Sequence, residues 1–434
     1  MKLTSFFARL ITGIALMSSL AAHAETYVYV TNTTANPLTV STVQYGDKTL
    51  ARNSQWGTYD PVIPPYATRR VVWMNRDEGI TNGKNFYFDT TVTGARGGPQ
   101  VMKQRLRGKL IGSSLWQGAK TASFETPWYY DRTIHTNTVV ADEQLSFKAE
   151  FTGGYDDVYY IVHDANVKEA QTNDPNTLKV LAYNTWGIFV AKNICERYAA
   201  MPSAMTGFDA IVLSEAFDGG CREQLLNGLR AEYPYQSRLV DQPGNIMNGG
   251  VIAVSRWPIA AQDVHIYPDC TGDNCFSNKG FIYFEIIKQG KAYHVLGTHT
   301  NAYNGTQDRQ VRLSQLGQMG SYPNSHGVPA PEPVVYAGDL NVDRYATPDD
   351  YVQMLGLLHA AEPRYLGHTY SYDPTVNALG SGGREYLDYV FADSQHRSPR
   401  GNDNTVRIYR SLNSSLWMDH DLSDHFAVSG VLQY

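Results

Sequence analysis

The sequence predicts an α/β protein: a layered α/β sandwich preceded by an all-β sandwich-like domain. Three observations predict it. The chain has 434 residues, 42% hydrophobic and only 18% charged; short period-2 runs fill it to about residue 151; and the rhythm changes after residue 176. A usual domain holds roughly 100 to 200 residues, so two domains are expected. The composition suits a strand-rich globular protein and excludes a coiled coil. A formal net charge of -6 provides no global positive field, so no nucleic-acid partner is expected.

Residues 1–24 read as a signal peptide. Met1-Lys2, an apolar run through Phe6, Leu10, Ile14 and Leu16, and the ending Ala22-His23-Ala24 form the pattern that signal peptidase reads. The mature chain is expected to begin at Glu25 and to be exported. The segment is short for a membrane span, and no later stretch approaches ~20 apolar residues. Cleavage removes Lys2 and Arg9 but no carboxylate, leaving a more acidic protein.

From Glu25 to about Phe151, alternations such as Tyr27-Val28-Tyr29-Val30, Leu38 to Val43, Arg70 to Trp73 and Asn85 to Phe88 are broken by Gly, Pro, Asn or Asp. Period-2 runs at regular spacing predict an all-β domain over 25–170. No His, Cys or carboxylate cluster there suggests an active site, so the domain reads as an accessory one, with membrane or lipid binding an open use. For Trp128-Tyr129-Tyr130, packing or ordinary exposure is the simpler explanation. Gly153 to Asn176 reads as a connecting stretch.

The second domain, 171–434, opens with apolar runs that look like buried strands: Leu178 to Ala182, Ala210 to Leu213, Val251 to Val254, Val295 to Gly297 and Val334 to Ala337. Helical patterns over Arg222 to Glu232 and Arg309 to Met319 lie between them. Strands covered by helices on one side and by a second sheet on the other give the layered sandwich. Four cysteines in an exported protein favour disulfides, with three connectivities open. The short loop carrying Cys270 and Cys275 favours a local bridge, leaving Cys195 for Cys221.

The informative feature is the polar residue at the end of each run: Asn184, Glu215, His299 with Asn301, Asp339 with Asn341, Asp388, and Asp424 with His425. Singly, each has a plain structural explanation, such as a cap, a surface ion pair or a hydrogen-bonded core histidine. Together they suggest one cleft, because buried charges need partners or a metal. Hard oxygen ligands suit Mg²⁺ or a similar ion better than structural zinc. Neither a G-x-S-x-G elbow nor a G-x-x-x-x-G-K-[ST] loop occurs. Metal-assisted phosphoester hydrolysis is the chemistry that fits.

Leu178 to Asn184, Leu213-Ser214-Glu215, Gly297-Thr298-His299, Gly338-Asp339-Leu340-Asn341, Tyr386-Leu387-Asp388-Tyr389 and Ser423-Asp424-His425 resemble the ordered motifs of the endonuclease/exonuclease/phosphatase superfamily, the DNase I-like fold. Glu232 to Gln236, Asn248 to Ile259, Cys270 to Phe281, Gly367-His368-Thr369 and Tyr372 to Asn377 are similar to bacterial neutral sphingomyelinase C. The resemblance covers roughly 177 to 434. It implies a four-layered α/β/β/α sandwich and a secreted enzyme that meets membranes peripherally. That enzyme would hydrolyse sphingomyelin to ceramide and phosphocholine using Mg²⁺, with Mn²⁺ or Co²⁺ as alternatives, and haemolysis would be a consequence.

The resemblance also implies roles. Glu215 binds metal with help from Asn184; Asp339 and Asn341 position phosphate, nucleophile and metal; His425 is the base on water and Asp388 orients it. His299 stabilises the phosphorane or assists the leaving oxygen, and Asp424 supports the metal and phosphate site. Three departures stand out. No cysteine follows the His299 motif to pair with Cys270, Met247-Asn248 replaces an acidic pair, and the family's aromatic membrane hairpin has no evident counterpart. Rival readings are a nuclease or phosphoinositide phosphatase on the same fold, and a membrane-binding toxin or adhesin with an inactive scaffold. Oligomeric state is left open.

Overall fold

The computed structural model describes residues 25–141, 143–164, 168–411, 416 and 420–434, so the signal-peptide reading of 1–24 lies outside the described residues. The chain divides into two compact units, Met1–Ala165 and Asn166–Tyr434.

In the first unit, Asn85–Thr93 alternates partly exposed and buried residues along its whole length, the period of a strand with one face in a core. It lies in a five-stranded sheet with Leu38–Gly46, Gln100–Gly108, Ser113–Lys120 and Val62–Ile63. A six-stranded sheet places Glu25–Asn32 between Thr68–Asn75 and Asp156–Asp164. Val28, Val30 and Val158 of the second sheet and Phe86, Phe88 and Met102 of the first share one buried hydrophobic cluster.

The strand Asp156–Asp164 corrects the expected connecting stretch from Gly153 to Asn176. It pairs parallel with Glu25–Asn32 and antiparallel with Glu143–Phe151, and only its two end residues are not buried. Its unbroken run Val158 to Val162 hides the alternation that marks its neighbours, because the residues of both faces are apolar.

In the second unit, a seven-stranded sheet centres on Thr177–Asn184, flanked by Ala210–Ser214 and Ala427–Gln433. A five-stranded sheet runs Ile259–Ile266, Gly280–Lys288, Lys291–His299, Val334–Asp339, Asp388–Ala392. Val180, Ala182 and Val212 of one sheet share a cluster with Phe284, Val295 and Val335 of the other. The alternate residues Leu181, Tyr183 and Ile211 pack with Tyr198, Leu225 and Leu226 of the helices Ile194–Ala200 and Gly219–Leu229. Likewise Leu296 and Tyr336 pack with Leu316, Met319 and Met354 of Thr306–His326 and Pro348–Leu357. Strands buried on both faces have to be apolar throughout, as the sequence shows.

Helix limits differ from the sequence pattern. Gly219–Leu229 starts before Arg222 because Asp218 Oδ1 accepts the Cys221 N–H at 2.8 Å, an N-cap. Thr306–His326 extends beyond Met319, through Pro323, to Gly327 at φ 80°, a left-handed glycine stop. Disulfides join Cys195 to Cys221, which ties the first two helices, and Cys270 to Cys275.

Lys288 Nζ lies 2.8 Å from Asp209 Oδ2, with the two side chains 0% and 2% exposed. The same carboxylate accepts the Lys179 N–H at 2.8 Å and Trp257 Nε1–H at 2.6 Å. Asp209→Ala strands a buried cation and two donors. It is expected to cost ~3–5 kcal/mol, read as a lower urea midpoint at unchanged slope; a loss below about 1 kcal/mol would mean that the pair contributes little.

Candidate active site

The ends of the two sheets supply the site. Asn184, His299 and Asp339 are each the last residue of a strand, and Asp388 is the first of another. Register explains part of the convergence: His299 lies opposite Asp339, and Asp339 opposite Asp388, on three neighbouring strands. Gly338 permits this. Its φ is 139°, and a Cβ there would come within 2.0 Å of Thr298 O, a conformation and an approach that only glycine tolerates. Glu215 and Asn341 follow strand ends with φ of 53° and 51°, a left-handed geometry that turns the chain sharply after the apolar run.

Asn184 Nδ2 ties the sheets together, donating to Glu215 Oε1 at 3.2 Å and to Asp339 Oδ2 at 3.0 Å. Its Oδ1 accepts the Trp186 N–H, so Asn184 orients two carboxylates. His299 Nε2 lies 3.8 Å from Glu215 and 3.7 Å from Asp339, while its buried Nδ1 has no partner. His425 Nδ1 bonds Asp388 Oδ2 at 2.8 Å, leaving Nε2 toward Asp339 at 3.9 Å. A cavity of about 380 Å³ is lined by Glu215, His299, Asp339, Asn341 and His425, together with Tyr303, Tyr372 and Glu385. Asn184 and Asp388, 1% and 0% exposed, are bonded to lining residues from outside the cavity, and Asp424, which accepts Ser423 Oγ–H at 3.3 Å, lies near His425 and Glu215.

The electrostatics are those of carboxylates in excess. Burial pushes Asp388 up to about 6 and Asp424 up to about 7, although His425 opposes both. Burial also raises Glu215. His425 responds in the opposite sense: burial favours its neutral ring, but Asp388, Asp339 and Asp424 outweigh this and hold it well above the histidine range. Burial, with Lys279 beside it, depresses His299 to about 3, so that ring is neutral. Asp339, Asp388 and His425 present ligand atoms within 4.8 Å of one another. Oxygen donors, surplus negative charge and an unpartnered Asp388 Oδ1 fit a hard divalent cation.

Eight of the nine polar residues expected in one cleft therefore gather here; the ninth, Asn301, is buried with its side chain bonded to Thr271 and Asp308 instead. Four others, Lys279, Tyr303, Tyr372 and Glu385, carry no mark of the site in the sequence. Lys279, buried, donates to Thr300 O at 2.9 Å and faces Glu215 and Asp339. It precedes Gly280–Lys288, whose antiparallel pairing with Lys291–His299 brings its start beside the end of the His299 strand; a polar residue at the beginning of a strand falls outside the pattern of polar residues that follow apolar runs. Tyr372 and Glu385 sit in loops, where no periodic signal marks them.

The family model described as Endonuclease/Exonuclease/phosphatase family matches residues 181–425, entirely within the second unit. The chain is 32% identical over 299 residues to sphingomyelinase C of Listeria ivanovii, covering 60% of this chain and 88% of that one. The crystal structure of sphingomyelinase C from Streptomyces griseocarneus matches with TM-score 0.55 and 30% identity, covering 59% of this chain and 99% of that one. A Staphylococcus aureus beta toxin mutant crystallised with bound magnesium ions matches with TM-score 0.54 and 28% identity, over 59% and 99% of the two chains.

Proposed function

The chain belongs to the endonuclease/exonuclease/phosphatase family, and on that premise we propose that it is a secreted, Mg²⁺-dependent phosphodiesterase hydrolysing sphingomyelin to ceramide and phosphocholine. The observation that carries the reading is the His425–Asp388 pair at 2.8 Å, set in one cavity with Glu215, Asp339, Asn341 and His299. His425 Nε2 takes the proton of the attacking water. Asp388 holds the Nδ1–H, fixing the tautomer and the ring plane. Asn341 and neutral His299 contact the phosphoryl oxygens, and His299 donates toward the oxygen that departs with ceramide. Glu215 and Asp339, bridged by Asn184, hold the cation, and Asp424 supports them from behind. A divalent cation, when bound, polarises the phosphoryl oxygen, eases departure of a basic alkoxide and offsets the carboxylates that keep His425 protonated.

The second unit is proposed as a four-layered α/β/β/α domain carrying the chemistry, and the first as an accessory β-sandwich that meets lipid peripherally. No helix among the described residues is long and apolar enough to cross a membrane. The test of function is release of phosphocholine from sphingomyelin vesicles, abolished by EDTA and restored by Mg²⁺; no release in either state would refute the reading.

The division of labour has its own test. Glu169 belongs with the second unit, since its carboxylate pairs with Lys179 at 2.7 Å and with Arg407, so a fragment should start at Lys168. Domains with their own cores often fold alone. The fragment Lys168 to Tyr434 is expected to hydrolyse detergent-dispersed sphingomyelin at a rate near that of the mature chain. A fragment folded by circular dichroism but inactive would show that the first unit completes the site.

A further inference from the structure

One wall of the cavity has no part in the proposed hydrolysis. Tyr372 pairs with Glu385 through reciprocal backbone bonds, Tyr372 N–H to Glu385 O at 2.9 Å and Glu385 N–H to Tyr372 O at 2.8 Å. Tyr372 also forms an antiparallel bridge with His425. Directly opposite residues on antiparallel strands place their side chains on the same face, with Cβ atoms about 4.5–5.5 Å apart. His425, Tyr372 and Glu385 therefore form a row, and all three line the cavity with Tyr303. The Tyr372 ring lies 5.1 Å from the His425 ring, and its hydroxyl is engaged by Ser381 O at 2.7 Å, so what Tyr372 can offer a ligand in the cavity is its ring. The Glu385 carboxylate is half-buried and receives one long bond, from Asn304 Nδ2 at 3.4 Å. Among the described residues no lysine or arginine forms an ion pair with it.

A carboxylate without a cation, an aromatic face beside it and a second ring, Tyr303, on the same cavity constitute a receptor for a bulky, weakly hydrated cation. The row also sets a distance. In phosphocholine a two-carbon linker separates phosphate from ammonium, a span comparable to one strand spacing of about 4.8 Å. A phosphate at His425 thus places a trimethylammonium over Tyr372, within reach of the longer Glu385 side chain. We propose that Tyr372, Tyr303 and Glu385 form the subsite for the quaternary ammonium of the substrate, the element of the site that selects a choline headgroup. The assignment rests on the phosphodiesterase reading and adds head-group selection to it.

Two soluble chromogenic diesters separate the assignments, because neither requires a membrane: p-nitrophenyl phosphorylcholine and bis(p-nitrophenyl) phosphate, each assayed with the mature chain and Mg²⁺. The parent is expected to favour the choline ester in kcat/KM. In Glu385→Gln and in Tyr372→Leu that preference falls about tenfold, whereas Tyr372→Phe, which keeps the ring, retains it. Phosphocholine inhibits the parent competitively and does so at least fivefold more weakly in Glu385→Gln, while inhibition by inorganic phosphate is the same in both. An unchanged preference in Glu385→Gln and Tyr372→Leu overturns the subsite, as does a parent that hydrolyses only bis(p-nitrophenyl) phosphate. A parent that hydrolyses neither ester overturns the phosphodiesterase reading itself. If a variant does not fold, the inhibition of the parent by phosphocholine and by phosphoethanolamine decides: equal inhibition overturns the subsite.

Discussion

His425→Ala is expected to lower kcat on detergent-dispersed sphingomyelin by ~10² to 10⁴, the usual cost of losing a general acid or base. Nothing in the described structure can replace the ring. His299 lines the same cavity, but burial and the neighbouring Lys279 depress it to about 3, too weak a base for water. Asp388 reaches His425 from behind and is 0% exposed, so it cannot take the proton of water in the cavity. Vesicle binding should be nearly unchanged, because peripheral lipid contact is proposed for the first unit, which does not contain His425. The assay needs saturating Mg²⁺, a circular dichroism check and sedimentation with sphingomyelin vesicles. A folded variant within tenfold of the parent would remove His425 from the role of base.

The fold and most of the site were legible because one signal served both. Strands covered on both faces read as unbroken apolar runs, and at their ends burial stops being affordable for anything but functional polar groups, so Asn184, Glu215, His299, Asp339, Asp388 and His425 stood out in the sequence. The same signal misled where a strand had apolar residues on both faces in the first domain: Val158 to Val162 passed as linker although it lies at the centre of a sheet. Boundaries set by one side chain, such as the Asp218 cap, lie below the resolution of any periodicity. Tyr372 lies in a segment that carries the family resemblance, but nothing local marks it or Glu385 as a site residue: Tyr372 is placed by a backbone bridge to His425 across more than 50 residues of chain, and Glu385 by its bridge to Tyr372, both formed only in the folded protein. Their chemistry becomes readable only when the row exists.

Glu215→Gln is expected to abolish recovery of the EDTA-stripped enzyme by millimolar Mg²⁺. Glutamine preserves the length of the side chain, the left-handed backbone at φ 53° and an oxygen that can still accept from Asn184 Nδ2. What it removes is one anionic oxygen from a set meant for a hard cation. Loss of a mere outer-shell partner costs about 10- to 100-fold in metal affinity, so loss of a ligand carboxylate should exceed that, measurable by calorimetric Mg²⁺ titration independently of turnover. Stability supplies a second signature of opposite sign. Burial raises the Glu215 carboxyl above its unfolded value; a group raised in this way favours folding when protonated, so its ionisation at neutral pH weighs against the metal-free fold. Metal-free Glu215→Gln should therefore melt no lower than the metal-free parent, whereas added Mg²⁺ should raise the melting temperature of the parent alone. A variant that is stabilised and reactivated by Mg²⁺ as readily as the parent would show that Glu215 is not the ligand, and that the cation sits instead among Asp339, Asp388 and His425.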